Sequence, residues 1–313
     1  MNAPSPRLQR ACIVGVNGAF GRIFARKLHA AGLIVAGTDL PGGAAPEAAL
    51  AEFVPGAVGA LLAERREWFA GFDLVLFCVP ENVVTAHLPA ALAIEGPAVF
   101  ADICSVKSRV AALVADSASR SASPFSYVSL HPMFGPVEDF TGFNLCTVPL
   151  AAGEAGAAAE FAALLDGWRA RRIELSAEEH DRLTAWVQAA CHFAILGYGA
   201  ALAASGASWE AMQRISTPTQ QLLLSLVARI ALSDEATYGQ IQKENPFAAG
   251  ARADIAAACG RLELLSGGHP DPTFQNLFGH IAGFLSSEGG HLKGLSDRMV
   301  ELVRRGDPPP GPR

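Results

Sequence analysis

Basic charge is scarce in this chain. Its 24 lysine and arginine residues face 30 aspartate and glutamate residues, which gives a formal net charge of −6 and a pI near 5.8. A nucleic-acid partner requires clustered lysine and arginine to neutralise its phosphates, so the composition argues against nucleic-acid binding. With 50% hydrophobic residues among 313, the chain can bury a large core. We expect a small-molecule partner.

Paired cysteines are also missing. The sequence has six cysteines but no CxxC motif and no cysteine–histidine spacing typical of zinc. This pattern predicts free thiols in a reducing compartment and no metal site. The apolar stretch after Arg7 and Arg10 meets Gly15 and Asn17 too soon for the core of a signal peptide. We therefore expect a cytoplasmic protein.

Only one long hydrophobic run is present, over residues 185–209. It has the length of a membrane span, but Gln188, His192 and Tyr198 interrupt it and no basic residues flank it. We interpret it as a buried helix and expect no membrane partner. Because the run is too apolar for the surface of a monomer, it also predicts a homodimer.

The first half of the chain alternates short apolar runs with alanine-rich stretches of helical character. This alternation predicts a parallel sheet covered by helices on both faces, that is, a doubly wound α/β domain over residues 1–176. The predicted strands are 11–15, 33–38, 74–79, 98–103, 127–130, 145–149 and 171–175.

Strand signals vanish after Ser176. Ser176 can cap a helix and Glu179 can close a capping box, so a long helix should begin at Ala177. We predict an all-helical second domain over residues 177–305 and a disordered, proline-rich tail over 306–313. Breaks between the helices are expected near Gly206, Pro218, Asp234, Pro246 and Gly267.

A glycine-rich turn, Gly15-Val-Asn-Gly18-Ala-Phe-Gly21, joins the first predicted strand to a helix. A side chain at Gly18 would hold a pyrophosphate away from the backbone N–H groups, and one at Gly21 would push the helix from the strand. Asp39 closes the second strand 18 residues after Gly21. Its carboxylate can accept both ribose hydroxyls and repel a 2′-phosphate. The turn therefore predicts a Rossmann-type site for NAD.

Two further residues are candidate cofactor contacts. Phe20 lies within this turn and Arg22 directly follows it, and the guanidinium of Arg22 can neutralise phosphate.

Two polar stretches follow later strands: Ser105-Val-Lys107 and Ser129-Leu-His131-Pro-Met-Phe-Gly-Pro136. In an open α/β sheet, ligands bind beyond the carboxyl ends of the strands. His131, fixed before a proline, is placed like a general base that takes the proton of a substrate hydroxyl while a hydride leaves. Ser105 could share that hydroxyl and orient the imidazole. The competing interpretation of His131 is an ordinary loop histidine.

Four motifs together carry a family resemblance: SVK, HPMFGP 26 residues after Ser105, a helical EHD, and HFA followed by YG. In these motifs the chain resembles prephenate dehydrogenases over residues 12–302. The resemblance implies that His131 is the base, that Ser105 bonds the ring hydroxyl, and that the nicotinamide lies near Val79, Pro80 and Ser105. It also implies that the helical domain is a dimerisation domain.

The resemblance also implies substrate-binding roles for His192, Arg229, Tyr238 and Lys107. A prephenate-like substrate carries two carboxylates, and a planar guanidinium can grip the ring carboxylate with two parallel hydrogen bonds. Arg229 stands in an apolar stretch, so we expect it to be buried and to need an anionic partner. Tyr238 either lies near the substrate or packs as an ordinary aromatic.

The predicted function is NAD-dependent oxidative decarboxylation of prephenate to 4-hydroxyphenylpyruvate. Arogenate and 4-amino-4-deoxyprephenate remain open as substrates, because Cys191 and Gln221 are neutral where related enzymes would carry basic residues. A β-hydroxyacid dehydrogenase would leave HPMFGP unexplained. A non-catalytic NAD-binding sensor would have no reason to keep Ser105, His131, His192 and Arg229 together.

Overall fold

The computed structural model describes residues 8–42, 49–121, 123–153, 155–265 and 272–305. The chain forms two compact units: one extends to Thr184 and includes 244–246, and the other comprises 185–243 and the residues after Pro246. The sequence places the division after Ser176 instead. The helix between the two boundaries joins the first unit because Asp181 accepts hydrogen bonds from the backbone N–H groups of Lys107 (2.9 Å) and Ser108 (2.8 Å).

The first unit is built on one sheet, with eight strands in the described residues. The strands are β1 (Arg10–Val14), β2 (Ile34–Asp39), β3 (Leu50–Pro55), β4 (Leu74–Phe77), β5 (Val99–Asp102), β6 (Ser126–Pro132), β7 (Asn144–Ala151) and β8 (Arg171–Glu174). Their order is β3-β2-β1-β4-β5-β6-β7-β8. Neighbours run parallel except for β6 and β7, which are antiparallel. The predicted doubly wound sheet is confirmed.

Strand β3 is the element that the sequence pattern does not predict. It forms an edge of the sheet and pairs only with β2 among the described strands. Its residues are exposed or half-buried, so it lacks the continuous apolar run of the inner strands. It ends at Pro55, which is tolerated at an edge because a proline cannot donate to a ladder.

Helices cover both faces of this sheet. Side chains alternate along β1, so Ala11 and Ile13 join one apolar cluster while Cys12 and Val14 join another. The two clusters are the core of the unit. The covering helices are α1 (Ala19–Ala30), α2 (Val58–Glu64), α3 (Arg66–Ala70), α4 (Glu81–Leu92), α5 (Ser108–Arg120), α6 (Ala155–Gly167) and α7 (Ala177–Thr184).

The second unit contains helices and no strands among its described residues. Helix α7 continues without a break into a π-helical turn, Ala185–Ala190, and into α8 (Cys191–Ala204). The predicted breaks at Gly206, Pro218, Asp234 and Pro246 are confirmed, and Gly267 and the tail 306–313 lie outside the described residues. The other helices are α9 (Trp209–Arg214), α10 (Pro218–Ala231), α11 (Glu235–Glu244), α12 (Ala248–Leu265), α13 (Pro272–Leu285) and α14 (Gly289–Arg305).

The long helix 177–204 is not the buried helix that the sequence predicts. It is the one described helix that is long and apolar enough to cross a membrane, and only 11% of its most apolar window is buried within the chain. No residue of α8 is buried, and Trp186, Val187 and Phe193 are exposed. Its own chain leaves this apolar surface uncovered.

Candidate active site

The glycine-rich turn between β1 and α1 is shaped by two close backbone approaches. Gly15 has a φ of +86°, and a Cβ there would lie 2.6 Å from the carbonyl oxygen of Cys78. A Cβ at Gly21 would lie 2.1 Å from the carbonyl oxygen of Gly15, so helix and strand could not pack as they do. A Cβ at Gly18 would lie 3.3 Å from its nearest atom, the carbonyl oxygen of Gly15. The turn thus has the compact backbone that a pyrophosphate requires.

Asp39 reaches this turn from the end of β2. Its carboxylate accepts hydrogen bonds from the backbone N–H groups of Asn17 and Leu40, each at 2.8 Å. A carboxylate has about four lone-pair sites, so it can still accept ribose hydroxyls. The Oδ1 atom of Asn17 is buried without a hydrogen-bond partner in the described residues, and Arg22 Nε donates to the Asn17 carbonyl at 3.1 Å. These residues fit a dinucleotide.

The remaining predicted cofactor contacts border the same turn. Val79 is half-buried, and its Cγ1 atom would lie 2.7 Å from a Cβ at Gly15. Pro80 is the N-cap residue of α4. Phe20 packs against two aromatic rings, with centroid distances of 6.0 Å to Phe24 and 6.3 Å to Phe134. The structure therefore places Phe20 in the packing between α1 and the HPMFGP segment.

The predicted base lies at the head of a line of three buried side chains. His131, near the end of β6, has its Nδ1 atom 2.9 Å from Nε2 of His180. His180 in turn has its Nδ1 atom 2.8 Å from Oδ1 of Asp181. His131 is 3% exposed, and His180 and Asp181 are fully buried. Ser105 is the residue that the sequence predicts to orient His131, but His180, the second residue of the EHD motif, bonds its Nδ1.

The carboxylate of Asp181 joins α7 to the start of α5. It accepts from the backbone N–H groups of Lys107 and Ser108 and from the hydroxyl of Ser108. Burial alone would raise the pKa of Asp181, but these bonds and the one with His180 outweigh burial and lower it. Asp181 is therefore ionised at neutral pH.

His131 is held in its neutral form. Burial, the positive charge of Lys107 and the neighbouring His180 hold the pKa of His131 well below its usual value of 6.5. A neutral imidazole is the state that a general base requires. Ser105, the second predicted catalytic residue, is half-buried in the loop that follows β5.

Lys107 has a different place from the one the resemblance implies. Its side chain is fully buried. Its Nζ donates to the Cys104 carbonyl (2.5 Å), the Ser129 hydroxyl (2.8 Å) and the Leu130 carbonyl (2.8 Å). An ammonium has three N–H donors, and all three are used. The prediction that Lys107 binds substrate is corrected accordingly: it is an internal cation that holds the ends of β5 and β6.

The predicted substrate residues of the second unit are only partly brought together. The rings of His192 and Tyr238 meet edge to face with centroids 4.9 Å apart. Burial lowers the pKa of His192, and its Nδ1 has no hydrogen-bond partner within the part of the chain that the structure describes. Arg229 is exposed on α10, where only Ile230 is buried. The expected burial of Arg229 is wrong for the single chain.

Comparison with known proteins decides the family. Residues 176–265 match the family described as prephenate dehydrogenase, dimerization domain. A 4-amino-4-deoxyprephenate dehydrogenase of Streptomyces pristinaespiralis is 34% identical over 296 residues, which are 94% of this chain and 97% of that protein. The chain belongs to the prephenate dehydrogenase family. Its predicted family, and with it the class of nicotinamide-dependent dehydrogenases, is confirmed.

Two further matches share less of their sequence with this chain. The T-protein of Enterobacter agglomerans is 29% identical over 240 residues, 75% of this chain and 57% of that protein. A solved prephenate dehydrogenase of A. aeolicus, in complex with hydroxyphenyl propionate and NAD+, has the same fold with a TM-score of 0.60. The two are 18% identical, and the match covers 95% of this chain and 99% of that one.

Three residues of this site have no role in the predictions from sequence: Asp102, His180 and Asp181. Asp102 is fully buried and accepts from the hydroxyls of Tyr127 (2.9 Å) and Ser129 (2.8 Å). His180 and Asp181 lie in the first turns of α7, among exposed charged residues. The signal in the sequence is the EHD motif itself, because a histidine beside an aspartate can form an oriented imidazole–carboxylate pair.

Proposed function

We propose that this protein oxidises C4 of a cyclohexadienyl dicarboxylate of the prephenate type, and that the ring carboxylate then leaves as carbon dioxide. The observation that carries the proposal is the neutral, buried imidazole of His131, whose Nδ1 is bonded to His180. Such a group can take a proton from the C4 substituent. Loss of the ring carboxylate makes the ring aromatic, and the step is therefore irreversible.

The glycine-rich turn and Asp39 would hold a nicotinamide dinucleotide, which supplies the hydride acceptor when bound. NAD+ is the proposed form. Asp39 carries a negative charge at the end of β2, where a 2′-phosphate would be repelled. The residues that this proposal assigns to the cofactor are Gly15, Gly18, Phe20, Gly21, Arg22, Asp39, Val79, Pro80 and Ser105.

We assign substrate binding to Ser105, His192, Arg229 and Tyr238. Arg229 would bind a carboxylate of the substrate through its planar guanidinium. His192 would use Nδ1, a buried polar atom that needs a partner. Tyr238 contributes the wall against which the His192 ring packs.

The substituent at C4 defines two candidate substrates. Prephenate carries a hydroxyl there, and 4-amino-4-deoxyprephenate carries an amino group. The similarity to the Streptomyces pristinaespiralis enzyme, which covers nearly the whole of both chains, favours the amino substrate. The neutral side chains of Cys191 and Gln221 are compatible with either.

A spectrophotometric panel tests the proposal. Prephenate, 4-amino-4-deoxyprephenate and arogenate are each supplied with NAD+ or NADP+, and formation of the reduced cofactor is followed by its absorbance. We expect the highest kcat/KM with the 4-amino substrate and NAD+. A preference for prephenate would select the other candidate, and no turnover of any of the three substrates would overturn the proposed function.

The apolar surface of the helix 177–204 supports a homodimer formed by the helical unit, and we propose that this dimer is cytoplasmic. A second copy would cover Trp186, Val187 and Phe193, which the single chain leaves exposed. The match of residues 176–265 to a dimerisation-domain family supports the same assembly. Light scattering at micromolar concentration should give twice the chain mass, and a monomeric mass would contradict the dimer.

A further inference from the structure

The line His131–His180–Asp181 has a consequence beyond the assignment of His131 as the base. We propose that His180 and Asp181 are positioning residues that hold His131 in the tautomer with an accepting Nε2, and that His180 shares the proton which His131 takes up. The proposal rests on the proposed function, because it requires His131 to be the base. Its evidence is the geometry of two consecutive polar contacts among three buried side chains inside one unit.

The tautomers follow from the hydrogen bonds, starting at the carboxylate. An ionised Asp181 can only accept, so the 2.8 Å contact requires the proton to be on Nδ1 of His180. A neutral His180 then has a lone pair on Nε2 and must accept from Nδ1–H of His131 at 2.9 Å. His131 therefore carries its own proton on Nδ1. In this tautomer Nε2 of His131 has the lone pair that a base needs.

The same line can accommodate the transferred proton. When the O–H or N–H bond at C4 breaks, a bond forms between that proton and Nε2 of His131. The Nδ1 proton of His131 can then pass to Nε2 of His180. This leaves His131 neutral and places the imidazolium of His180 directly against the Asp181 carboxylate, 2.8 Å away.

The proton balance of the reaction favours a group that, like His180, holds the proton temporarily. Oxidation at C4 removes one hydride and one proton, and departure of carbon dioxide leaves an electron pair that moves to the oxygen or nitrogen on C4. That atom must regain a proton to give the neutral product. The line would hold the proton while the ring carboxylate leaves and return it by the reverse transfers, so no external acid is required.

The charges around the two imidazoles support storage at His180 rather than at His131. The Lys107 ammonium disfavours a positive charge on either ring, and burial does the same. Burial leaves the pKa of His180 below its usual value, but Asp181 and Asp102 favour a positive charge on this ring and oppose that shift. For His131, the ionisable groups identified as shifting its pKa are Lys107 and His180, and both lower it.

The line is also held in place mechanically. Asp181 is fixed by the N–H groups at the start of α5, and its carbonyl accepts from Asn245 Nδ2 at 2.8 Å. The His180 carbonyl accepts from Thr184 Oγ1 at 2.9 Å. The start of α7 is fixed by Ser176, whose Oγ accepts from the Glu179 N–H at 3.1 Å, which is one of the two bonds of the predicted capping box. Such preorganisation is what a proton relay needs.

Two substitutions at His180 separate orientation from proton sharing. In His180→Gln the amide oxygen can still accept from His131 Nδ1 but cannot take a proton at neutral pH, whereas His180→Ala removes both functions. We expect kcat on the best substrate of the panel to fall about 10-fold in the Gln variant and about 10²–10³-fold in the Ala variant. The acidic limb of kcat should move to higher pH in both variants, because His180 is one of the groups that lower the pKa of His131. The KM for NAD+ should stay unchanged.

His29→Gln, on the exposed side of α1, is the matched control and should behave as the wild type. Wild-type turnover and an unmoved acidic limb in His180→Ala would overturn the proposal. Equal turnover in His180→Gln and the wild type would overturn the proton-sharing half. Loss of kcat with an unmoved limb would mean that His180 is only structural.

A second measurement needs no substrate and no variant. In the dimer labelled with 15N-histidine, the ring-nitrogen chemical shifts of His131 should show the proton on Nδ1, although free histidine prefers Nε2. A proton on Nε2 of His131 would overturn the proposal even if the panel confirmed the function. The Nδ1 tautomer combined with an inactive panel would reject the proposed function and retain the positioning role.

Discussion

The Nζ atom of Lys107 lies 3.9 Å from Oδ1 of Asp102, and neither side chain has any exposed surface. Removing one member of a buried ion pair leaves the other charge uncompensated, which costs about 3–5 kcal/mol. We expect Lys107→Met to lower the free energy of unfolding by about that amount, measured by urea denaturation. Lys293→Met, which removes an exposed i,i+4 pair with Asp297, should change it by less than about 0.5 kcal/mol. A stable Lys107 variant with only a raised substrate KM would restore the substrate-binding role.

His131→Asn tests the base itself. Asparagine keeps a hydrogen-bonding side chain of similar size but cannot take a proton, so kcat should fall by roughly 10²–10⁴ while NAD+ still binds. In the wild type kcat should fall as pH drops through the pKa of His131 in the complex. Because that pKa is lowered, the acidic limb should lie below pH 6.5. Stopped-flow turnover from pH 4.5 to 8 would measure the limb, and near-normal turnover of the Asn variant with the same limb would assign the base to another group.

Much of the first unit follows from its sequence, because apolar runs and glycines are local signals. The glycine-rich turn, Asp39 and the position of His131 after a strand can each be recognised from a short stretch of sequence. The contact of His131 with His180 cannot be recognised in this way, since 49 residues separate them and only the packing of α7 against the sheet brings them together. Arg229 shows a second limit, because the sequence predicts that it is buried, whereas it is exposed on α10. An apolar sequence predicts that a helix is covered, but it does not tell whether the same chain or a second copy covers it.

Glu81, the first residue of α4, predicts an unusual dependence of stability on pH. It is only 4% exposed, and neither carboxylate oxygen has a hydrogen-bond partner among the described residues. Burial raises the pKa of Glu81 from 4.5 to about 7, and Asp102, Glu244 and Asp181 add to the rise while Lys107 opposes it. The folded state thus keeps this proton after the unfolded chain has released it.

The sign of the effect follows from that difference. Stability is lost as pH rises from about 4.5, where the unfolded carboxyl ionises, and the full cost is reached above about pH 7. We expect Glu81→Gln to be more stable than the wild type at pH 8.5, by up to about 3 kcal/mol, and equal to it at pH 4. Urea denaturation at both pH values measures the difference. Glu67→Gln, an exposed first-turn glutamate of α3, should show no such gain, and a Glu81 gain that is the same at both pH values would contradict the raised pKa.

Asp39→Asn tests the choice of cofactor. The amide oxygen can still accept from the Asn17 N–H, so the turn should keep its shape while the negative charge is lost. The ratio of kcat/KM for NAD+ to that for NADP+ should fall about tenfold, which corresponds to ~1.4 kcal/mol. Asp73→Asn is a matched control, because Asp73 also accepts from two backbone N–H groups, those of Gln9 and Arg10, but precedes β4 at the other end of the strands. An unchanged ratio in the Asp39 variant would reject the role of its charge.

Arg229→Ala distinguishes a substrate ligand from an ordinary surface residue. The guanidinium is exposed on α10, so its removal should leave the melting temperature within a degree or so of the wild type, as is usual at surface positions. If it binds a carboxylate of the substrate, the loss of a charge-assisted pair worth about 1.5–3 kcal/mol should raise the substrate KM by roughly 10- to 100-fold. The KM for NAD+ should not change.

Arg214→Ala, on the exposed surface of α9, removes a comparable guanidinium from the same unit and should leave both KM values unchanged. Equal substrate KM values for the two variants would remove Arg229 from the site, and the carboxylate would then need another cation.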